Sequence, residues 1–318
     1  MPDRFRFIPA RLLQSIPVLF GVTVLVFLMV HLLPGDPAVA ILGQTATPER
    51  VAALSHQLGL DQPLWRQYLL FLGHLCQGNL GQSITYQRPV SGLVLQAIPV
   101  TLSLLLFALI LSLLISVPLA GLAASAPGRA RDLGVRFFTL LGQGMPQFWI
   151  GIMLILLLAV NLRAFPVGGY GTNWPRHWYY LFLPALTLAI AMCPTTIRSL
   201  RASTIDVLAS DYVGTARSKG AAGIALFRLH VLRNAAIPTV SIIGVNLGYL
   251  VGGALVIEKV FAVPGLGSLM INAVFARDFP TIQAVSLFVA VFVIVVGILT
   301  DVVYTAVDPR VDISKERS

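Results

Sequence analysis

The side chains that most often perform catalysis are few and scattered in this 318-residue sequence. None of its three lysines completes the G-x-x-x-x-G-K-[ST] pattern that cradles nucleotide phosphates. The five histidines include no H-E-x-x-H zinc motif, and the glycine-rich stretch 265–268 is not the G-x-S-x-G of a serine hydrolase. The sequence therefore predicts no catalytic residue, no metal site and no bound cofactor.

Two further classes of function, an ion-coupled secondary transporter and an intramembrane enzyme, depend on ionisable residues within apolar runs. An ion-coupled secondary transporter would need buried charges and an inverted repeat, yet only Asp301 lies within an apolar run. Its place near the end of that run favours an interfacial hydrogen-bonding role. An intramembrane enzyme would need a nucleophile and a base at membrane depth. The candidates for that pair, Cys193 and His31, lie on separate runs, which disfavours this class. The lone His74-x-Cys76 pair is explained by packing more simply than by a metal.

The composition is that of a membrane protein. Hydrophobic residues make up 57% of the chain and charged residues 11%, against about 25% charged in soluble domains. The mean hydropathy is +0.84. These values exclude an ordinary soluble enzyme, a disordered regulator and a fibrous protein. In so apolar a chain, the net charge of +9 indicates basic loops on one side of a membrane rather than nucleic-acid binding.

Six apolar runs are each long enough to cross a hydrocarbon core of about 30 Å as a helix. They are continuous rather than alternating with period two, so helices are favoured over a barrel. The predicted fold class is an all-α membrane protein with six transmembrane helices. The predicted spans are 12–33, 98–124, 137–160, 179–197, 236–257 and 281–307.

Basic residues set the predicted orientation. Lysines and arginines number fifteen on the side that carries both termini and seven on the other, which places both termini in the cytoplasm. Basic residues before the first run also suit a cleaved signal peptide. That run is longer than the usual apolar region of a signal peptide, which favours a retained anchor.

The segment 34–97, predicted to be external, is too long for a simple connector. Thr47-Pro48-Glu49 offers one helix start, and a second helix is predicted from Pro63, with Trp65 and Tyr68 on one face. We expect a folded helical segment. A solvated connector resting on lipid headgroups is the alternative.

The segment 198–235, predicted to be cytoplasmic, has the pattern of a helical hairpin. Apolar residues recur at helical spacing over 205–216, and Gly220 is placed to end this helix in a left-handed conformation. A second run over 224–233 leads to Pro238 at the start of the fifth span. Such a hairpin suits the docking of a partner protein, and a helix resting on the membrane surface is equally compatible with the periodicity.

The hairpin sequences DYVGTARSKG (211–220) and HVLRNAAIP (230–238) resemble the EAA loop of ABC importer permeases. They are similar to the variant of the dipeptide, oligopeptide and nickel class. One departure is Gly214-Thr215-Ala216, which stands where the general pattern has Glu-Ala-Ala and so weakens any transfer of a single acidic contact. Further matches to that class are LPGDP (33–37), LGLDQP (58–63), GNLGQS (78–83), MPQFW (145–149), FAVPGLG (261–267), RDFP (277–280) and DPR (308–310).

The resemblance implies a multi-pass subunit of a binding-protein-dependent importer in a bacterial inner membrane. Its implied partners are a homologous second permease, two cytosolic ATPases that use ATP and Mg²⁺, an extracytoplasmic solute-binding protein and the lipid bilayer. The implied cargo is a di- or oligopeptide, with nickel chelates, glutathione or opines as alternatives. The chain then consists of a cytoplasmic N-terminus (1–11), the first span, the external segment, an ABC transmembrane core (98–307) and a cytoplasmic tail (308–318).

Three groups of candidate site residues follow. Those for coupling to an ATPase, within 205–233 and just beyond it, are Asp211, Tyr212, Ala216, Arg217, Lys219, Gly220, Asn234 and Pro238. Those for the pathway or its gate are Met145, Pro146, Gln147 and Asn246. Those for contact with the binding protein are Asp36, Trp65 and Tyr68. The pathway group rests on a helix break and on polar groups at membrane depth, and inter-helix hydrogen bonding is an equally good interpretation of Asn246.

Overall fold

The computed structural model describes residues 7–32, 37–42, 45–57, 59–221 and 223–307. These residues form helices joined by turns, with an isolated antiparallel bridge between Gln82 and Pro89. Five of the described helices are long and apolar enough to cross a membrane, and the number is six if one helix pair, bent at a short break, is counted as a single span. The predicted all-α membrane class is confirmed. The side on which the termini lie stays a prediction.

In chain order the helices are α1 (Phe7–Leu32), α2 (Pro37–Leu42), α3 (Pro48–Gln57), α4 (Leu64–Cys76), α5 (Val90–Ala124), α6 (Ala130–Gly144), α7 (Gln147–Leu154), α8 (Trp174–Leu208), α9 (Asp211–Ser218), α10 (Gly223–Leu226), α11 (Leu232–Val260), α12 (Leu266–Ala276) and α13 (Phe279–Val307). Two π-helical turns, Ile155–Asn161 and Phe227–Val231, follow α7 and α10. The chain forms two compact units. The smaller unit contains Pro9–Val100 and Pro264–Ile294, and the larger contains Thr101–Val263 and the C-terminal part from Val295.

In the smaller unit, α4 packs against α1 through aromatic side chains. The Tyr68 hydroxyl lies 2.8 Å from Thr23 Oγ1, and its ring meets Phe27 edge-on at 5.3 Å between centroids. Phe71 extends the same cluster. The helix predicted from Pro63 therefore lies against the first span and is not a free connector.

A buried carboxylate joins two stretches of the smaller unit that are 195 residues apart in sequence. Asp278 is fully buried and accepts hydrogen bonds from the Ser83 hydroxyl, from the Ile84 backbone N–H at 3.1 Å and from Thr281 Oγ1 at 2.9 Å. Arg277 ends α12 in a left-handed conformation and so directs the chain into α13. The sequences GNLGQS and RDFP, matched separately in the resemblance, meet at this carboxylate.

The larger unit is organised around α8. This helix packs against α6, α7 and α11. Its 35 residues span about 52 Å at 1.5 Å per residue, so it extends well beyond the predicted fourth span. Along α8, Leu181, Leu188 and Ile197 are among the most deeply buried side chains.

The predicted third span, 137–160, is not one straight helix. It is shared by α6 and α7, which meet at 105°. The break falls at Met145 and Pro146, both with extended backbone. Proline lacks a backbone N–H and disfavours helical geometry in the residue before it, which explains where α6 stops.

We expect replacement of Asp278 by Asn to destabilise the smaller unit. The amide nitrogen would face hydrogen-bond donors, at a cost of about 2 kcal/mol. The thermal unfolding midpoint of the detergent-solubilised chain should fall by about 4–8 °C. Asp61→Asn, at an exposed position of the same unit, is the matched control and should leave the midpoint unchanged. Equal unfolding midpoints for the two variants would show that the hydrogen bonds of Asp278 do not stabilise the smaller unit.

Candidate coupling hairpin and pathway helices

The hairpin between α8 and α11 has a small apolar core of its own. Val213 of α9, Leu226 of α10 and Val231 of the π-helical turn are buried together. Leu208, at the end of α8, and Phe227 pack against them. Both arms of the hairpin and the helix before it thus contribute to one core, which makes the hairpin a compact body with a fixed connection to α8.

Gly220 ends the first arm of the hairpin with φ of +90°, in the positive-φ conformation predicted for it. Its N–H donates to the Arg217 carbonyl at 2.9 Å, and the Ala221 N–H donates to the Ala216 carbonyl at 3.0 Å. No atom among the described residues lies within 4 Å of the point where a Cβ would stand. The position therefore requires glycine for its backbone conformation and not for lack of space.

Two of the predicted coupling residues, 22 positions apart in sequence, are in direct contact. Asn234 Nδ2 donates a 2.7 Å hydrogen bond to the Tyr212 hydroxyl. Because Tyr212 lies on α9 and Asn234 on α11, this bond fastens the hairpin to the start of the next long helix.

The other predicted coupling residues divide by exposure. Asp211, Arg217 and Lys219 are exposed, whereas Ala216 is half-buried against the core of the hairpin. Pro238 differs from expectation, since it lies inside α11, which begins six residues earlier at Leu232. The structure thus places most of the group on the hairpin and the last two, Asn234 and Pro238, on α11, and contact with an ATPase stays a prediction.

A buried ion pair holds the end of α8 that carries the hairpin. Asp132 of α6 is fully buried, and Arg201 donates to its carboxylate through Nε and Nη2, each at 2.6 Å. The Gly128 N–H donates a third hydrogen bond at 2.8 Å. Removing one member of such a pair strands a buried charge, so the pair fixes α6 against α8. Sequence reasoning missed this pair because its members lie 69 residues apart.

A second buried acid was missed for the same reason. Glu258, one residue beyond the predicted fifth span, is fully buried and accepts a 2.6 Å hydrogen bond from Thr101 Oγ1. This bond joins α11 to α5 across 157 residues of sequence.

The pathway candidates lie on two helices that pack together. Met145 and Pro146 form the break before α7, and the Gln147 side chain occupies the space that a Cβ at Gly253 of α11 would need. Asn246 Nδ2 donates to Thr195 Oγ1 of α8 at 2.8 Å. This contact is the inter-helix hydrogen bond that the sequence left open as the alternative for Asn246. A role for these residues in the pathway stays a prediction.

The two described candidates for contact with a binding protein differ in availability. Trp65 is 65% exposed, whereas Tyr68 is half-buried in the aromatic cluster against α1. Asp36 lies outside the described residues. Of the three, Trp65 is the described side chain whose surface remains open to a partner.

Known proteins match this chain along nearly its whole length. Residues 116–313 match the family described as binding-protein-dependent transport system inner membrane component, and residues 4–105 match the N-terminal region described for such membrane components. The oligopeptide transport system permease protein AppB of Bacillus subtilis is 38% identical over 312 residues, covering 96% of this chain and 99% of the relative.

Other similar proteins are named for different substrates. The glutathione transport system permease protein GsiC of Salmonella choleraesuis is 39% identical over 301 residues, covering 95% of this chain and 97% of the relative. A structure described as inward-facing conformations of the MetNI methionine ABC transporter aligns with a TM-score of 0.57. It covers 68% of this chain and 96% of its own, and at 17% identity the similarity concerns the fold.

We expect a methyl group at Gly244 to disturb the crossing of α11 and α13. A Cβ there would overlap Thr300, whose side chain is β-branched and stiff, so Gly244→Ala should cost about 1–3 kcal/mol. Gly252→Ala, on the same helix with no described atom within 4 Å, is the matched control. The measurement is the thermal unfolding midpoint of each purified variant. A midpoint for Gly244→Ala as high as that of the control would contradict this packing.

Proposed function

The chain belongs to the family of binding-protein-dependent transport system inner membrane components and is a permease subunit of an ABC importer, and we propose that its hairpin, 205–233, receives the drive for transport from a cytosolic ATPase. An importer permease of this kind works with ATPase subunits and with a membrane partner. We propose further that the partner is a homologous second permease, that two ATPases complete the motor, and that a solute-binding protein delivers the cargo.

The observation that supports the coupling role is the packing of the hairpin. It has its own core of Val213, Leu226 and Val231, and the bond between Asn234 and Tyr212 fastens it to α11. A body held in this way transmits a push instead of absorbing it. Because the sequence has no phosphate-binding loop of the P-loop type, the free energy of ATP must reach the chain through such a contact.

The packing of α8 suggests how a push would reach the pathway. The hairpin follows directly on α8, and α8 packs against α6, α7 and α11. The pair of Asp132 and Arg201 keeps the end of α8 joined to α6. Displacement of the hairpin would therefore move the helices that carry Gln147 and Asn246, and the paired permeases would rock between inward and outward openings around a pathway between them.

We propose small peptides as the cargo. The support comes from relatives at 36–39% identity, which are named as oligopeptide, peptide and glutathione transport permeases. Glutathione is itself a tripeptide, so these names share one chemistry: a short amide chain with free carboxylates. Trp65, in the segment predicted to be external, is the side chain we propose for contact with the delivering protein, because it is 65% exposed.

We expect replacement of Gly220 by Val to uncouple transport from ATP hydrolysis. A β-branched residue is strained at φ of +90°, so the end of α9 would rearrange and the hairpin would lose its shape. Cargo uptake and cargo-stimulated ATPase activity of the reconstituted complex should both fall by at least tenfold. The amount of the subunit in the membrane should stay the same.

The control for this experiment is Gly220→Asn, because asparagine tolerates positive φ better than other residues with side chains. It adds a similar volume and should retain most of the activity. Normal uptake by Gly220→Val would remove the hairpin from the mechanism, and equal loss in both variants would show that side-chain size and not backbone conformation is the requirement.

A competition assay tests the cargo separately. Uptake of a labelled dipeptide by membrane vesicles that contain the full complex should be reduced by unlabelled di- and tripeptides, glutathione included. A nickel chelate and an opine should leave it unchanged. Saturable uptake of the nickel chelate that peptides fail to reduce would exclude peptides as the main cargo without affecting the coupling role.

A further inference from the structure

Three arginines line one cavity formed by α6 and α8. Arg136 of α6 and Arg198 and Arg201 of α8 line a cavity of about 690 Å³, together with Gln143. Arg201 is held in place by Asp132, the carboxylate of the buried pair. The side chains of Arg136 and Arg198 are exposed and make no hydrogen bond or ion pair with any side chain that the structure describes. Three guanidinium groups thus line the cavity, and the Asp132 carboxylate pairs with that of Arg201, which leaves the cavity with net positive charge.

The same cavity has an apolar wall that turns outward. Leu133, Phe137 and Leu140 line it from α6, and they are 54–69% exposed. The opposite face of α6 carries Val135, which is buried with α8. An amphipathic helix with its apolar side chains next to unpaired cations fits an occupant that is anionic at one end and apolar at the other.

The positions of the arginines relative to the predicted spans indicate what surrounds the cavity. Arg136 immediately precedes the predicted third span, and Arg198 immediately follows the predicted fourth. Both therefore flank predicted spans, at the level where lipid phosphates meet the hydrocarbon, and Phe137 and Leu140 follow Arg136 on α6, before the 105° bend into α7. Basic pockets between helices at this depth, on the cytoplasmic side, suit anionic lipid headgroups.

We propose that the cavity of Arg136, Arg198 and Arg201 binds the phosphate of an anionic phospholipid, with an acyl chain against Leu133, Phe137 and Leu140. A free inorganic anion would use the arginines and leave the apolar wall unused. A phospholipid uses both, and the guanidinium fork matches phosphate geometry. The site is separate from the hairpin and from the pathway candidates, and its occupant would brace the α6–α8 pair to which Asp132 contributes.

The test measures binding of phosphatidylglycerol to the full chain, purified with its copurifying subunits. Arg136→Gln combined with Arg198→Gln should weaken binding by about 25-fold, since each basic residue near an anionic surface contributes about fivefold. The control combines Arg129→Gln with Arg131→Gln, which removes the same charge from exposed positions at the start of α6 that do not line the cavity. The control should keep at least half of the affinity of the native chain. Phosphatidylcholine should bind all three proteins equally weakly.

Several results would overturn the proposal. Equal losses in the two double variants would mean diffuse surface charge and not a site. Displacement of phosphatidylglycerol by inorganic phosphate at the same concentration would mean a free-anion site. Displacement by an acidic cargo peptide would place the arginines in the transport pathway. Neither the lipid-binding measurement nor the comparison of the two double variants depends on ATP hydrolysis or on the identity of the cargo, so failure here leaves the coupling role untouched.

Discussion

A carboxylate buried away from water is stable only where donors replace its hydration, and three acidic residues in the described part of the chain meet this condition. Asp132, Glu258 and Asp278 are each fully buried, and each is paired with a residue 69 to 195 positions away in sequence. In a chain with so few charges, these pairs are the directional contacts that fix which helix ends meet. Apolar packing alone has no direction, so helix register in both units depends on them.

Close approach of helices supplies the rest of the specificity in the larger unit. Thr300 and Gln147 occupy the places where side chains at Gly244 and Gly253 of α11 would stand. Because glycine has no side chain, a neighbouring helix can approach α11 closely at these positions. A polar group such as Asn246 can then donate a hydrogen bond to Thr195 on the facing helix. The hairpin is stabilised differently, since its short helices are held by a small apolar core and by the hydrogen bond between Tyr212 and Asn234.

The features that could be predicted from the sequence are those encoded in local patterns of hydropathy and residue spacing. Hydropathy gave the helical membrane class, and helical spacing followed by glycine gave the hairpin and the positive φ of Gly220. It could not give contacts between distant residues, so Asp132, Glu258 and Asp278 were overlooked as fasteners. Average hydropathy also hides direction, because residues on both sides of a break remain apolar. The 105° bend at Met145 and Pro146, and the start of α11 ahead of Pro238, therefore required the structure.

The length of α8 has a mechanical consequence. One helix, continuous through Pro184 and Pro194, carries the predicted fourth span and leads directly into the hairpin. A rod of about 52 Å that tilts about its midpoint by about 10° moves each end by about 4.5 Å, and the two ends move in opposite directions. A displacement of less than one helical turn at the hairpin would then appear on the far side of the membrane with its sign reversed. Opening on one side and closure on the other would be a single motion of one lever, without a second gate to be timed against the first.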